Sequence, residues 1–79
     1  MVQRVSLADM ETGESGKVSE VLGGRGVTDR LQALGLRPGI TITKTGAVSS
    51  RGPVVARVGS TQVSVGFGIS YKILVEVDR

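Results

Sequence analysis

The stretch VTDRLQALGLRPGITI, residues 27–42, decides the fold because it contains a helix, the end of that helix and the start of a strand. Val27, Leu31 and Leu34 are spaced at i, i+4 and i+7, which places them on one apolar stripe. Asp29 falls in the first turn, where a carboxylate suits the positive end of the helix dipole. The stretch therefore predicts a short amphipathic helix whose apolar stripe packs on a core.

Residues that favour turns mark both ends of this helix. Thr28, or a turn at Gly26, can begin it. At the other end, Gly35 stands where a left-handed residue commonly ends a helix, Leu36 can fold back on the last turn, and Pro38-Gly39 forms a turn. We therefore expect the helix to end before residue 35 and a strand to follow.

The remaining apolar residues alternate with a period of two, which is typical of strands. This pattern predicts strands at residues 17–22, 40–45, 53–58, 61–65 and 72–77. Val18 and Leu22 share one face of the first strand, and Val21 between them indicates either a bulge or a strand end that is buried on both faces. We expect Leu7 to lie on the core, residues 69–70 to form a 3₁₀ turn, and residues 46–52 to form a mobile polar loop.

The predicted fold is mainly β: a small barrel of about five strands with one short α-helix inserted between the first and second strands. Residues 1–79 form a single domain in this interpretation. A core of this size needs efficient packing, and oligomerisation is a further expected source of stability.

The composition argues against catalysis and against bound cofactors or metals. The chain has no Cys and no His, and its seven acidic residues are scattered. Without His, no candidate nucleophile has an evident base, so we predict a protein that is not an enzyme. The segment GESGK at 13–17 is not a phosphate-binding loop, because only two residues separate its glycines and Val18 follows the lysine.

The charge of the chain leaves nucleic-acid binding open as an alternative function. Formal net charge is +3 and the pI is near 10.0. The basic residues are evenly spaced, which favours a solvated surface over a phosphate-binding patch: Arg4, Lys17, Arg25, Arg30, Arg37, Lys44, Arg51, Arg57, Lys72 and Arg79. The N-terminal residues contain no apolar run of signal-peptide length, so we expect a cytoplasmic protein without direct membrane insertion.

The run Arg30-Leu31-x-x-Leu34-Gly35-Leu36-x-Pro38-Gly39 resembles the core motif of the FeoA family, small cytosolic accessory proteins of bacterial ferrous iron uptake. Further elements of the family pattern occur in the same order: Leu7, Gly13, Gly16, Val18, Gly52-Pro53 and Ile73-Leu74-Val75. The resemblance covers nearly the whole chain. Ser70 departs from it, since a small Ala is usual there.

The resemblance implies an SH3-like domain that interacts with a FeoB-type membrane transporter, through that transporter's cytosolic nucleotide-binding domain or another cytosolic element. A regulatory domain related to that of iron-dependent repressors is a further alternative. We predict a contact surface in the groove between the helix and the 46–52 loop, formed by Arg25, Arg30, Arg37, Arg51 and Phe67. Arginines there can pair with partner carboxylates. Phe67 and Tyr71, at i and i+4, either fill the core or form an exposed anchor.

Overall fold

The computed structural model describes residues 1–47 and 51–79, and within them one antiparallel sheet of six strands. The elements are β1 (Val2–Ser6), a 3₁₀ turn (Leu7–Asp9), β2 (Ser15–Val21), α1 (Arg25–Ala33), β3 (Thr41–Ala47), β4 (Val54–Val58), β5 (Thr61–Val65), α2 (Phe67–Ser70) and β6 (Ile73–Asp78). The strand order is β1-β6-β2-β3-β4-β5, so β1 and β5 form the two edges of the sheet.

The mainly β fold with a short helix is as predicted, and two details differ. Val2–Ser6 forms an additional strand because it pairs with β6 along its whole length, so the sheet has six strands and α1 follows the second of them. Phe67–Ser70 forms one α-helical turn where a 3₁₀ turn was predicted, because the Ser70 amide donates to the Gly66 carbonyl at 2.9 Å, four residues back.

α1 begins before the start predicted at Thr28 or at the Gly26 turn. Gly24 is the N-cap and Arg25 the first helical residue, so the first turn holds no acidic side chain. Thr28 does not cap the helix; its hydroxyl donates to the Gly24 carbonyl at 3.3 Å. Gly23 has φ +116°, a value that a glycine adopts without strain, and this turn brings the chain from β2 into the helix.

The end of α1 is as predicted. Gly35 has φ +88°, and its amide donates to the Gln32 carbonyl at 2.9 Å. The amide of Leu36 reaches the Leu31 carbonyl at 2.9 Å, which completes a Schellman motif. Leu36 is fully buried, so this reversal fixes the helix end to the core.

Among the described residues, thirteen buried apolar side chains form the core, as predicted for most of the alternating positions: Leu7, Met10, Val18, Leu31, Leu36, Ile42, Val54, Ala56, Val63, Val65, Ile73, Val75 and Val77. Leu22, which was predicted to share one face of the strand with Val18, does not lie on the buried face of Val18. The predicted bulge is present between Val18 and Glu20, and it turns Val21 toward the core while Leu22 lies 42% exposed beyond the strand. Leu34 was also expected on the core and is 45% exposed.

Lys44 is an exception to the solvated basic surface that the sequence predicts. It lies at the inward-facing position after Ile42 and is 8% exposed. Its ammonium donates to the carbonyl oxygens of Ala8 and Met10, at 2.8 and 2.7 Å. The buried charge is thus compensated by two backbone acceptors from the segment around the 3₁₀ turn.

The predicted loop at 46–52 is shorter in the structure, since β3 includes Gly46 and Ala47. Residues 48–50, and with them the expected mobility, lie outside the described residues. Among the described helices, none has the length and apolar character needed to cross a bilayer.

Candidate partner-binding groove

An open groove of about 270 Å³ separates α1 from the end of β5 and α2. Its wall is mainly apolar, and one basic side chain contributes to it: Val27, Arg30, Leu31, Leu34, Ser64, Val65, Gly66 and Ile69 line it. We refer to this feature as the α1–β5 groove. Because it is open and apolar, a side chain from outside the chain could be buried in it.

The apolar stripe of α1 forms one wall of the α1–β5 groove. Leu31 is 4% exposed and anchors the helix on the core, and Val27 is half-buried. Leu34 is the C-cap residue and remains 45% exposed. The stripe that the sequence predicts is therefore only partly covered by the core, and its C-terminal member faces the groove.

Strand β5 and the start of α2 form the opposite wall. The turn Gly59-Ser60 joins β4 to β5 with Gly59 at φ +62°, as a two-residue hairpin with Gly in first place requires. This turn sets the register in which Val63 and Val65 point into the core. Ser64 between them is exposed, and Ile69 of α2 is partly buried against the core.

Of the five predicted contact residues, one lines this groove and four do not. Arg30 lines it directly. Phe67 follows the groove residue Gly66, and Arg51 lies at the same end of the sheet, because Val54 is paired with Val65.

Arg25 and Arg37 lie apart from these three. Arg25 is the first residue of α1, and its side chain is 92% exposed with Nε 4.0 Å from a carboxylate oxygen of Asp29. Arg37 is exposed in the turn before β3, at the end of the sheet where β5 begins. No contact joins the five residues into one cluster within the described residues, and their role stays a prediction.

Phe67 and Tyr71 contact each other edge to face, with ring centroids 5.1 Å apart and an interplanar angle of 84°. Phe67 is half-buried, whereas Tyr71 is 46% exposed. Ser70 between them is fully buried, and its hydroxyl donates to the Phe67 carbonyl. This hydrogen bond satisfies the buried hydroxyl of Ser70.

A bidentate ion pair between Arg79 and Glu14 lies outside the groove lining. The Arg79 guanidinium donates to both carboxylate oxygens of Glu14, at 2.8 and 2.9 Å, and the Glu11 amide donates at 3.0 Å. These hydrogen bonds lower the pKa of Glu14 to about 2, and the carboxylate raises the pKa of Arg79. In residues 1–47 and 51–79, no three acidic side chains are grouped as metal ligands.

The sequence predicted the apolar stripe of α1, but it did not indicate that this stripe forms a wall of the groove. The stripe of Val27, Leu31 and Leu34 was visible from its spacing and was assigned to the core. Ser64 and Ile69 were missed as groove residues. Their positions depend on how β5 and α2 dock beside α1, and no local pattern encodes that docking.

Comparison with known proteins gives a family match over most of the chain. Residues 5–77 match the model of the FeoA domain. A crystal structure of an iron uptake regulatory protein, FeoA, is 32% identical, with a TM-score of 0.83 over 95% of this chain and 99% of that one. No curated protein sequence matches the chain.

Two further structures show how widely the fold is shared. The FeoA of Stenotrophomonas maltophilia, crystallised with zinc and described as a prokaryotic SH3 domain protein, is 20% identical with a TM-score of 0.76, over 90% of this chain and 88% of that one. The T. acidophilum IdeR is 21% identical with a TM-score of 0.82, over 95% of this chain and 34% of that one. The predicted SH3-like fold is therefore confirmed.

Proposed function

Because the chain belongs to the FeoA family, we propose that it is a non-enzymatic protein-interaction module that assists a FeoB-type ferrous iron transporter on the cytosolic side of the membrane. The observation that carries this proposal is the α1–β5 groove, which leaves apolar side chains open to solvent beside an arginine. The partner surface would be the transporter's nucleotide-binding domain or another of its cytosolic elements.

The composition of the α1–β5 groove suits a protein partner. Leu34 offers an apolar side chain at 45% exposure, and Arg30 lines the same groove. Apolar anchors and arginines at the centre of an interface supply a large share of binding energy, because both are desolvated by the partner. Arg51 and Phe67 would extend this surface beyond the C-terminal end of β5. Arg25 and Arg37 would lie at its margins.

The same lining supports a binding role over a catalytic one. Arg30 is the charged member of the groove lining, and its guanidinium offers hydrogen-bond donors and no acceptor. Ser64 is its hydroxyl-bearing member, and no residue of the lining can act as a general base toward it. The groove therefore provides contact area and one positive charge, without a proton-transfer group.

Nucleic-acid binding receives less support from the same surface. A phosphate-binding face needs several basic side chains side by side, and single-stranded nucleic acid also needs aromatic platforms. The groove lining has one arginine and no aromatic side chain. The likeness to IdeR supports the fold of this chain and carries no function over to it.

Calorimetric titration of the chain into the purified cytosolic domain of a FeoB-type transporter tests the proposal, with nucleotide-loaded and empty samples and a short RNA as control. We expect saturable binding to the domain and none to RNA. A difference between the loaded and empty samples would show that nucleotide state controls the interaction. Binding to RNA that weakens steeply with salt, without binding to the domain, would contradict the proposal.

A further inference from the structure

Strand β5 has an open outer edge beside the α1–β5 groove. In the sheet formed by residues 1–47 and 51–79, β5 is the last strand and is paired with β4 alone. An edge strand presents backbone N–H and C=O groups that no neighbouring strand satisfies, and such a row can pair with an added strand.

The hairpin geometry identifies which backbone groups of β5 face outward. In a two-residue hairpin, the residues that flank the turn, Val58 and Thr61, form a hydrogen-bonded pair. Alternation then makes Ala56–Val63 and Val54–Val65 hydrogen-bonded pairs. Gln62 and Ser64 therefore direct their N–H and C=O groups away from β4. No hydrogen bond of these groups occurs within residues 1–47 and 51–79.

The edge of β5 lacks the features that usually prevent strand addition. Its sequence, TQVSV, contains no charged residue and no proline. The other edge strand, β1, carries the exposed Arg4. Ser64 also lines the α1–β5 groove, so the open backbone and the apolar wall of α1 meet in the same place.

We propose that the partner binds by strand addition: an extended segment pairs with β5 as a seventh strand and places alternate apolar side chains in the α1–β5 groove. Successive side chains of a strand point to opposite faces, so apolar residues at every second position would face Val27, Leu31 and Leu34. A carboxylate on the segment would pair with Arg30. This inference rests on the proposed function and specifies the chemistry of the partner segment.

Amide hydrogen exchange of the whole chain tests this inference with two probes. The first is the cytosolic domain of a FeoB-type transporter, and the second is the synthetic peptide acetyl-Leu-Glu-Leu-Glu-Leu-amide. In the free protein, we expect the amides of Gln62 and Ser64 to exchange fast and those of Val63 and Val65 to be protected. Each probe should protect the Gln62 and Ser64 amides.

A proline at position 64 provides a matched pair of variants. Ser64→Pro removes an outward N–H that β4 does not use, whereas Ser64→Ala keeps that N–H and removes only the hydroxyl. We expect Ser64→Pro to bind both probes about tenfold more weakly than Ser64→Ala does. If Ser64→Pro disturbs folding, two N-methylated peptides make the same test on the wild-type chain. One peptide is methylated at the backbone nitrogens that would face β5, and the other at the alternate nitrogens. Only the first should lose binding.

The outcomes separate this inference from the proposed function. Binding of the domain without protection of Gln62 and Ser64 would overturn strand addition and leave the proposed function standing. Protection by the peptide, with no binding of the domain, would support the open edge and overturn the transporter as partner. Binding of neither probe would overturn both. Protection that rises with protein concentration alone would show that a second copy occupies the edge, which contradicts the proposal.

Discussion

The Nζ atom of Lys44 lies 2.7 Å from the carbonyl oxygen of Met10 and joins β3 to the segment that follows β1. The same ammonium donates to the Ala8 carbonyl at 2.8 Å. Leu7, at the start of this segment, is fully buried. One buried lysine therefore holds a non-repetitive segment over the core, because it supplies donors that this segment's carbonyls do not find in the sheet.

Replacing Lys44 with Met should destabilise the protein by about 2 kcal/mol, because two carbonyl acceptors lose their donor while the aliphatic volume is kept. Urea unfolding followed by circular dichroism measures this change. Lys17→Met is the control, since Lys17 is exposed on β2. Equal effects of the two substitutions would mean that the ammonium of Lys44 does not support the segment.

The pair formed by Glu14 and Arg79 predicts a dependence of stability on acid. The pKa of Glu14 is about 2 in the folded protein and 4.5 for the free side chain, so the unfolded chain takes up a proton before the folded one. The stabilisation from this carboxylate is complete above pH 4.5 and is lost as pH falls toward 2.

Glu14→Gln should therefore lower the free energy of unfolding at pH 7 and make little difference near pH 2. Urea unfolding of both proteins between pH 7 and pH 2 gives the comparison. Arg79→Gln should remove most of the same pH dependence, and the double variant should add little to either single change. A difference between wild type and Glu14→Gln that is constant with pH would show that this pair does not shift the titration.

The packing around Gly16 in β2 leaves no room for a larger side chain at that position. A Cβ atom there would collide with the carbonyl oxygen of Glu76 and lie 2.7 Å from a methyl of Val75 and 2.8 Å from one of Val77. Gly16→Ala should cost about 3 kcal/mol, as overpacking against backbone does. Gly46→Ala, in β3 with open space around its Cα, should stay within about 0.5 kcal/mol of wild type. Thermal unfolding of the wild type and of both variants measures the two changes in stability.

The contrast between Lys44 and the predicted strands shows which structural features local sequence patterns can predict. The alternation of Ile73, Val75 and Val77 predicts a strand correctly, because residues close together in the sequence show which face of the strand is buried. The burial of Lys44 depends on Ala8 and Met10, which are 36 and 34 residues away in the chain. From the sequence alone, a lysine at such a position is predicted to lie on the surface, because the two carbonyl acceptors are not visible in the neighbouring residues.

The same reasoning explains the sixth strand and the incomplete site. Val2–Ser6 is mostly exposed and has little apolar alternation of its own; it becomes a strand because β6 offers an edge to pair with. The stripe of α1 was visible, but whether Leu34 is buried depends on the distance between α1 and β5. That distance is set by packing and not by the helix sequence.

Leu34 and Leu22 form a matched pair for testing the α1–β5 groove, because both are exposed leucines, at 45% and 42%. Only Leu34 lines the groove. Leu34→Asn should weaken binding of the transporter's cytosolic domain by roughly tenfold, as loss of an apolar anchor does, and Leu22→Asn should not change it. Calorimetry measures both affinities, and unfolding curves show whether the variants remain folded. Equal losses would place the contact outside the groove.

Arg30 tests the charge of the proposed surface. Arg30→Glu should leave the free energy of unfolding nearly unchanged, because the side chain is exposed, and weaken binding of the cytosolic domain through repulsion of partner carboxylates. Arg37→Glu makes the same change in charge at the opposite end of β5 and should have a smaller effect. We expect the loss for Arg30→Glu to shrink as salt is raised, since ions screen exposed charges. Equal affinity of Arg30→Glu and wild type would remove Arg30 from the contact surface, whereas a larger loss for Arg37→Glu would move that surface toward the turn before β3.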